Sequence, residues 1–220
     1  MNTAVTTSVE SYIKHRRKGE AITREQILSH VMASEPAVDQ AISRIAKAQK
    51  LTRITAGVYV RPKESRFGEL PPSIPSIIKS LEQKHKAVIV PAGAKAANEL
   101  GLSTQLPMQL SYVSNKRITQ FYVGKKLLKF EYKKALPEKV SHNVALLYSA
   151  MSYIGKTESV KNFEKLESFY KRLNNSQQRQ FELMTSGKLK WMHRLFKEEA
   201  NGSVSKVKQG RERAGLCRSR

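Results

Sequence analysis

Ala37, Asp39, Gln40, Ser43, Arg44 and Lys47 fall on one side of a helical period whose other side is Val38, Ala41, Ile42 and Ile45. The outward set is small or hydrogen-bonding toward the front and cationic toward the back. A helix lying in a DNA major groove needs that distribution, because amides and hydroxyls read base edges while cations meet phosphates. Arg53 and Arg61, on two β-prone runs that follow, and Arg16 and Arg17, at the end of a preceding helix, are placed to add backbone contacts.

A second grouping, Lys116, Arg117, Lys125, Lys126, Lys129, Lys133 and Lys134, is interleaved with Tyr112, Phe121, Tyr122, Phe130 and Tyr132. Cations separated by rings can hold RNA through charge and stacking. A strand hairpin that buries its rings and alternates its lysines outward explains the same pattern. Glu131 and Lys133 also stand two apart on one strand face, the spacing of E-x-K metal-dependent nucleases. Such a centre needs a second acidic ligand, for which Glu99 is the upstream candidate, and alternating charge on an exposed strand accounts for the pair without chemistry.

Three helices and two strands must position the first set. Thr23 is an N-cap whose hydroxyl can accept an orphan backbone N–H, with Glu25 and Gln26 in the first turn and Ile27, Leu28 and Val31 on one apolar face. Ser34 caps a second helix, with Glu35 and Pro36 in its first turn, where a missing N–H costs nothing. Residues 51–54 and 58–61 are strands around an Ala56-Gly57 turn. Upstream, Val9, Tyr12 and Ile13 mark a helix ending in His15-Arg-Arg-Lys18 before Gly19. That order predicts a winged helix-turn-helix over residues 1–66. Modules of this shape also serve as protein–protein adaptors.

Composition agrees with a polyanion partner. Lys plus Arg number 40 against 18 Asp plus Glu, a net charge of +22 over 220 residues, and 40% hydrophobic content allows a real core. Asp39 is the sole aspartate and Cys217 the sole cysteine, so an internal disulfide and a zinc finger are excluded and a reducing compartment is expected. The five histidines show no ligand-like spacing, and no Ser-His-Asp set, P-loop or dinucleotide fingerprint appears. No catalytic residue, cofactor or metal is expected. No signal core and no window of about 18 apolar residues is present, which predicts a cytoplasmic, nucleoid-associated protein without membrane contact.

Gly68, Pro71, Pro72 and Pro75 mark residues 67–76 as a linker, and 77–200 read as a second domain. It opens with a helix at 74–84, a buried strand at 87–90 ended by Pro91, and an alanine-rich helix at 92–100 stopped by Gly101. Strands follow at 109–113, 118–123 and 127–132, the last two joined through Gly124-Lys125-Lys126. Helices then run from Ser141 to Gly155, along Phe163, Leu166, Phe169, Tyr170 and Leu173, over 176–185, and over 188–200 with Trp191 in the core. Residues 201–220 read as a disordered basic tail. The fold class is α+β: a winged helix-turn-helix, then a mixed α/β domain with a helical C-terminal third. Residues 77–140 carry 12 Lys and Arg against 4 Glu, a net of +8, so the second domain too should meet a polyanion or an acidic surface.

The stretch Pro91-Ala-Gly-Ala-Lys-Ala-Ala-Asn-Glu-Leu-Gly-Leu-Ser-Thr-Gln-Leu-Pro107, followed by Leu110-Ser-Tyr-Val-Ser-Asn-Lys-Arg117, resembles the AbiEi-type antitoxins of bacterial type IV toxin–antitoxin systems. The resemblance covers about residues 8 to 135. It implies a transcriptional repressor that binds operator inverted repeats in double-stranded DNA, as monomer or dimer. It further implies a second domain that counteracts a cognate nucleotidyltransferase-like toxin, by contact or through the toxin's RNA target, a phage-defence role. Helices 141–200 depart from the pattern. A ligand-responsive winged-helix transcription factor with no toxin partner is the rival reading.

Overall fold

The computed structural model describes residues 3–66, 68–105 and 109–200, and for 198–200 the backbone alone. Its first elements are α1 (Thr3–Lys14), β1 (Ala21–Thr23), α2 (Arg24–His30), α3 (Glu35–Lys47), β2 (Thr52–Thr55), β3 (Val58–Val60), β4 (Lys63–Ser65), β5 (Gly68–Leu70) and α4 (Ile74–His85). Then come β6 (Ile89–Pro91), α5 (Ala94–Glu99), β7 (Leu110–Ser114), β8 (Phe121–Val123) and β9 (Lys126–Tyr132). The remaining helices are α6 (His142–Lys161), α7 (Phe163–Lys171), α8 (Asn175–Met184) and α9 (Trp191–Ala200). The chain is thus mixed α+β with a helical C-terminal part. It divides into two compact units, one formed by residues up to 89 together with 116–132, the other by 90–115 and by 133 onward. The Cys217 tail from 201 on, Phe67 and Leu106-Pro107-Met108 lie outside the described residues.

In the first unit, Val9, Tyr12 and Ile13 of α1 meet Val38, Ala41, Ile42 and Ile45 of α3 around Ile22, Ile27, Val31 and Leu51. The four α3 positions recur at three- and four-residue spacing, and none is more than 3% exposed. Thr23 builds a full capping box: Gln26 N–H donates to Thr23 Oγ1 at 3.1 Å, and Thr23 N–H donates to Gln26 Oε1 at 2.9 Å. Ser34, expected to cap α3, makes no side-chain cap bond. Pro36 in that first turn lacks one of the N–H groups such a cap would serve.

Strands β1, β3 and β2 form an antiparallel sheet in that order, with Ala21 opposite Val60 and Arg53 opposite Tyr59. Thr55 faces Val58, so Ala56-Gly57 is a two-residue turn, and Gly57 takes the φ of +69° that such turns demand. β1 is an edge strand, and α4 covers its open side. Ser76 Oγ accepts the Ala21 N–H at 2.7 Å, Ser80 Oγ donates to the Ala21 carbonyl at 3.1 Å, and Ile77 and Leu81 are buried. The segment read as a linker from its prolines contains β5, paired with β4 so that Lys63 faces Leu70.

Residues 116–132 form the β8–β9 hairpin of this same unit, with Phe121 opposite Leu128 and Val123 opposite Lys126. β8 runs beside β2. Phe121 and Phe130 stack at 5.7 Å between ring centroids.

In the second unit, α5 presents the buried Ala96 and Ala97 and packs on α6. Within α6, Gly155 departs from helical geometry (φ 75°, ψ 178°), at the position where the sequence sets a stop. Further on, Tyr170 stacks on Phe196 at 4.1 Å and 4°, and Phe181 stands edge-on to both at 5.9 and 6.0 Å. Phe181 is fully buried, whereas Trp191 is only half-buried. Trp191 is the first residue of α9, so Met192, Leu195 and Phe196 take the inward side. Ser141 N–H donates to Gln180 Oε1 at 3.1 Å, and Gln177 Nε2 donates to Ser141 Oγ at 2.8 Å. Side chains of α8 thereby serve the start of α6. No helix among the described residues is long and apolar enough to cross a membrane.

Candidate nucleic-acid interface

With its apolar residues buried, α3 turns Gln40, Ser43, Arg44 and Lys47 outward, all exposed, with Ala37 half-buried. Its front end is tied down. Arg24 at the start of α2 donates from Nε to Asp39 Oδ1 at 2.6 Å and from Nη2 to Asp39 Oδ2 at 2.8 Å, and reaches Glu35 Oε2 at 3.0 Å. A planar guanidinium facing a carboxylate through two parallel bonds fixes orientation as well as charge. The Arg24 hydrogen bonds hold the Asp39 carboxyl below its ordinary range, against the opposing effect of burial. Asp39 thereby has a fixed cationic partner, shared with Glu35, and α2 is tied to α3.

The β2–β3 turn is equally committed. The Arg24 backbone N–H donates to the Gly57 carbonyl at 2.9 Å, and the Lys84 ammonium donates to the Ala56 carbonyl. Arg53 on β2 is exposed. Arg61 is turned to protein: its Nη1 donates to the Lys14 carbonyl at 2.7 Å and to the Arg16 carbonyl at 3.1 Å, closing the C-terminal end of α1. Arg16 lies over the Tyr12 ring at 4.6 Å and donates to its hydroxyl at 2.5 Å, while Arg17 is exposed.

The second cationic grouping is divided by the fold. Lys116, Arg117, Lys125, Lys126 and Lys129 belong to the first unit, Lys133 and Lys134 to the second. Among the interleaved rings, Tyr112 and Phe130 are largely inside, whereas Tyr122 is 65% and Tyr132 44% exposed. Arg117 lies 5.6 Å from the Tyr132 centroid, beside a shallow cavity lined by Ile118, Thr119 and Phe130. Glu131 is exposed near the end of β9, and Lys133 follows beyond that strand, half-buried, with its N–H donating to the Ser114 carbonyl at 2.9 Å. Among the described residues no group of three His, Cys, Asp or Glu could hold a metal ion.

Besides β1, sequence reasoning missed two pairings that bear on this face. The Arg24–Asp39 clasp joins residues 15 apart, and its only signal is an arginine opening one helix ahead of the chain's sole aspartate in the next. The placement of β8 beside β2 joins residues about 70 apart and has no local signal.

The fold and these side chains define a mixed α+β chain of two units, the first of which carries a helix and a hairpin with cationic outer faces. The chain matches, over residues 8–178, a family of unknown function, DUF6088, and belongs to it. It is similar to the crystal structure of the RV2827C protein from Mycobacterium tuberculosis, at 15% identity and a TM-score of 0.41, over 89% of this chain and 81% of that one. No curated protein matches.

Proposed function

We propose that this protein is a DNA-binding antitoxin that represses its own operon and counteracts a nucleotidyltransferase-like toxin encoded beside it. The observation that carries the DNA-binding part is the exposed face of α3. It presents Gln40, Ser43, Arg44 and Lys47 on a helix whose other side is fully packed and whose Asp39 is paired with Arg24. The order α1, β1, α2, α3, β2, β3 supports reading the unit as a winged helix-turn-helix with α3 as recognition helix. Gln40 and Arg44 then read base edges, and Lys47 and Arg53 hold phosphates.

The antitoxin part is supported by the resemblance carried by residues 91–117. Growth of cells expressing the neighbouring gene, alone and with this protein, tests it. Rescue by the full chain is expected, and an absence of toxicity to rescue would leave a DNA-binding regulator of another circuit. Binding to the DNA upstream of its own reading frame, measured against random duplex, tests the repressor part. Equal affinity for both would contradict sequence-specific repression.

One observation favours the ligand-responsive alternative. An open groove of about 750 Å³ on the first unit is lined by Thr7, Ser8, Ser11, Tyr12, His15, Arg16, His30 and Val31, most of them exposed. A metabolite that alters operator affinity, with no toxic neighbour, would establish that reading in place of the antitoxin.

A further inference from the structure

The β2–β3 turn is a poor probe of DNA. It has two residues, Ala56 and Gly57, and both their carbonyls are taken, by Lys84 and by the Arg24 N–H. It therefore projects no loop of its own. The strand that borders β2 supplies what the turn lacks. Residues 116–132 carry Lys116, Arg117, Lys125, Lys126 and Lys129 against the one acid Glu131, and the β8–β9 hairpin they form lies beside the strand of the exposed Arg53. Its own two-residue turn, Gly124-Lys125, opens with Gly124 at φ +58° and is followed at once by Lys126. This places two exposed ammonium groups at the hairpin tip.

We propose that the β8–β9 hairpin is a second wing, which extends the first unit's DNA interface beyond α3 and β2 by contacting phosphates of the flanking duplex through Lys125 and Lys126. The inference rests on the DNA-binding reading of α3. It also gives residues that lie far along the chain from α3 a role in holding DNA. Phosphate contacts carry no base information, so the hairpin adds affinity and a longer footprint while α3 keeps the sequence choice.

The test uses the full chain, a random-sequence 30-base-pair duplex, the duplex upstream of its reading frame, and poly(U) RNA, each titrated by fluorescence anisotropy across salt. The double substitution Lys125→Gln/Lys126→Gln is expected to weaken both duplexes alike by roughly tenfold and to lower the slope of log K against log salt by about 2, since each phosphate contact contributes roughly 0.9. The substitution Lys125→Arg/Lys126→Arg is expected to bind as the parent does. Arg44→Ala serves as the reference, with its larger loss on the upstream duplex. Unchanged duplex binding by the Gln pair while Arg44→Ala weakens it would overturn the second wing and leave the α3 reading standing. Failure of the parent protein to bind either duplex would overturn both. Loss on poly(U) with none on the duplexes would overturn the proposal in favour of RNA.

Discussion

Asp39 ties α2 to α3 through both oxygens of its carboxylate, and its titration sets a recognisable pH dependence. Its folded pKa lies below the ordinary value of about 3.9. The stability it contributes is therefore fully present above that ordinary value and is lost as pH falls through the depressed one. Half of the side chain is exposed, so solvent screens the gain. Asp39→Asn is expected to lower Tm at neutral pH and to have no effect in strong acid, where the carboxyl is already protonated; a constant difference across the range would show that the pair does not titrate as a unit. At the outward face, Gln40→Ala or Arg44→Ala should cost about 1–3 kcal/mol on the preferred operator and relax base preference. Equal losses on random DNA would contradict that role. Arg53→Ala should weaken all duplexes alike and flatten the salt dependence, and an unaltered salt slope would count against a phosphate contact. The identities of these residues were readable because a 3.6-residue period sorts α3 into inward and outward positions with no reference to the rest of the chain. Arg61 was not so readable. Only the folded positions of the Lys14 and Arg16 carbonyls decide that its guanidinium closes α1.

Helix starts show the same contrast between local and distant causes. Thr23 and Gln26 lie three apart, and their capping box needs nothing else. Thr23→Ala is expected to destabilise the protein by about 1 kcal/mol in denaturant titration, and an unchanged midpoint would show that the box is dispensable. The start of α6 is served by Gln177 and Gln180, more than thirty residues away, which no local motif announces. Gly155 holds a φ of 75° with open space around its Cβ position, so Gly155→Ala is strained by backbone conformation alone. A fall in Tm is expected, without loss of helix content by circular dichroism. The aromatic cluster of α7, α8 and α9 was visible as apolar stripes, but which ring lies at its centre was not. Phe181→Ala is expected to cost about 3–5 kcal/mol, and a smaller loss for Trp191→Ala would match its half-buried place.

At the scale of the molecule, the first unit is assembled from two stretches of chain, residues up to 89 and residues 116–132. A fragment ending at residue 70 would lack α4, whose serines satisfy the Ala21 backbone, and the hairpin that borders β2. It is expected to unfold at a lower denaturant concentration than the full chain does, and equal stability would show that those pieces are accessory. The sequence by itself determined the charge of +22, the three helices and the β2–β3 hairpin within the first 60 residues, the outward residues of α3 and the hairpin at 124–126, because each follows from composition or from neighbours within a few residues, whereas β1 carries no such local signal. Only the tertiary structure decided that the Pro-rich stretch leads into a helix covering β1, that the lysines of 116–132 join the N-terminal unit, and that Arg24 disarms Asp39. Those outcomes depend on which edge strand and which carboxylate must be satisfied by a distant partner, and periodicity along a chain carries no record of such pairings.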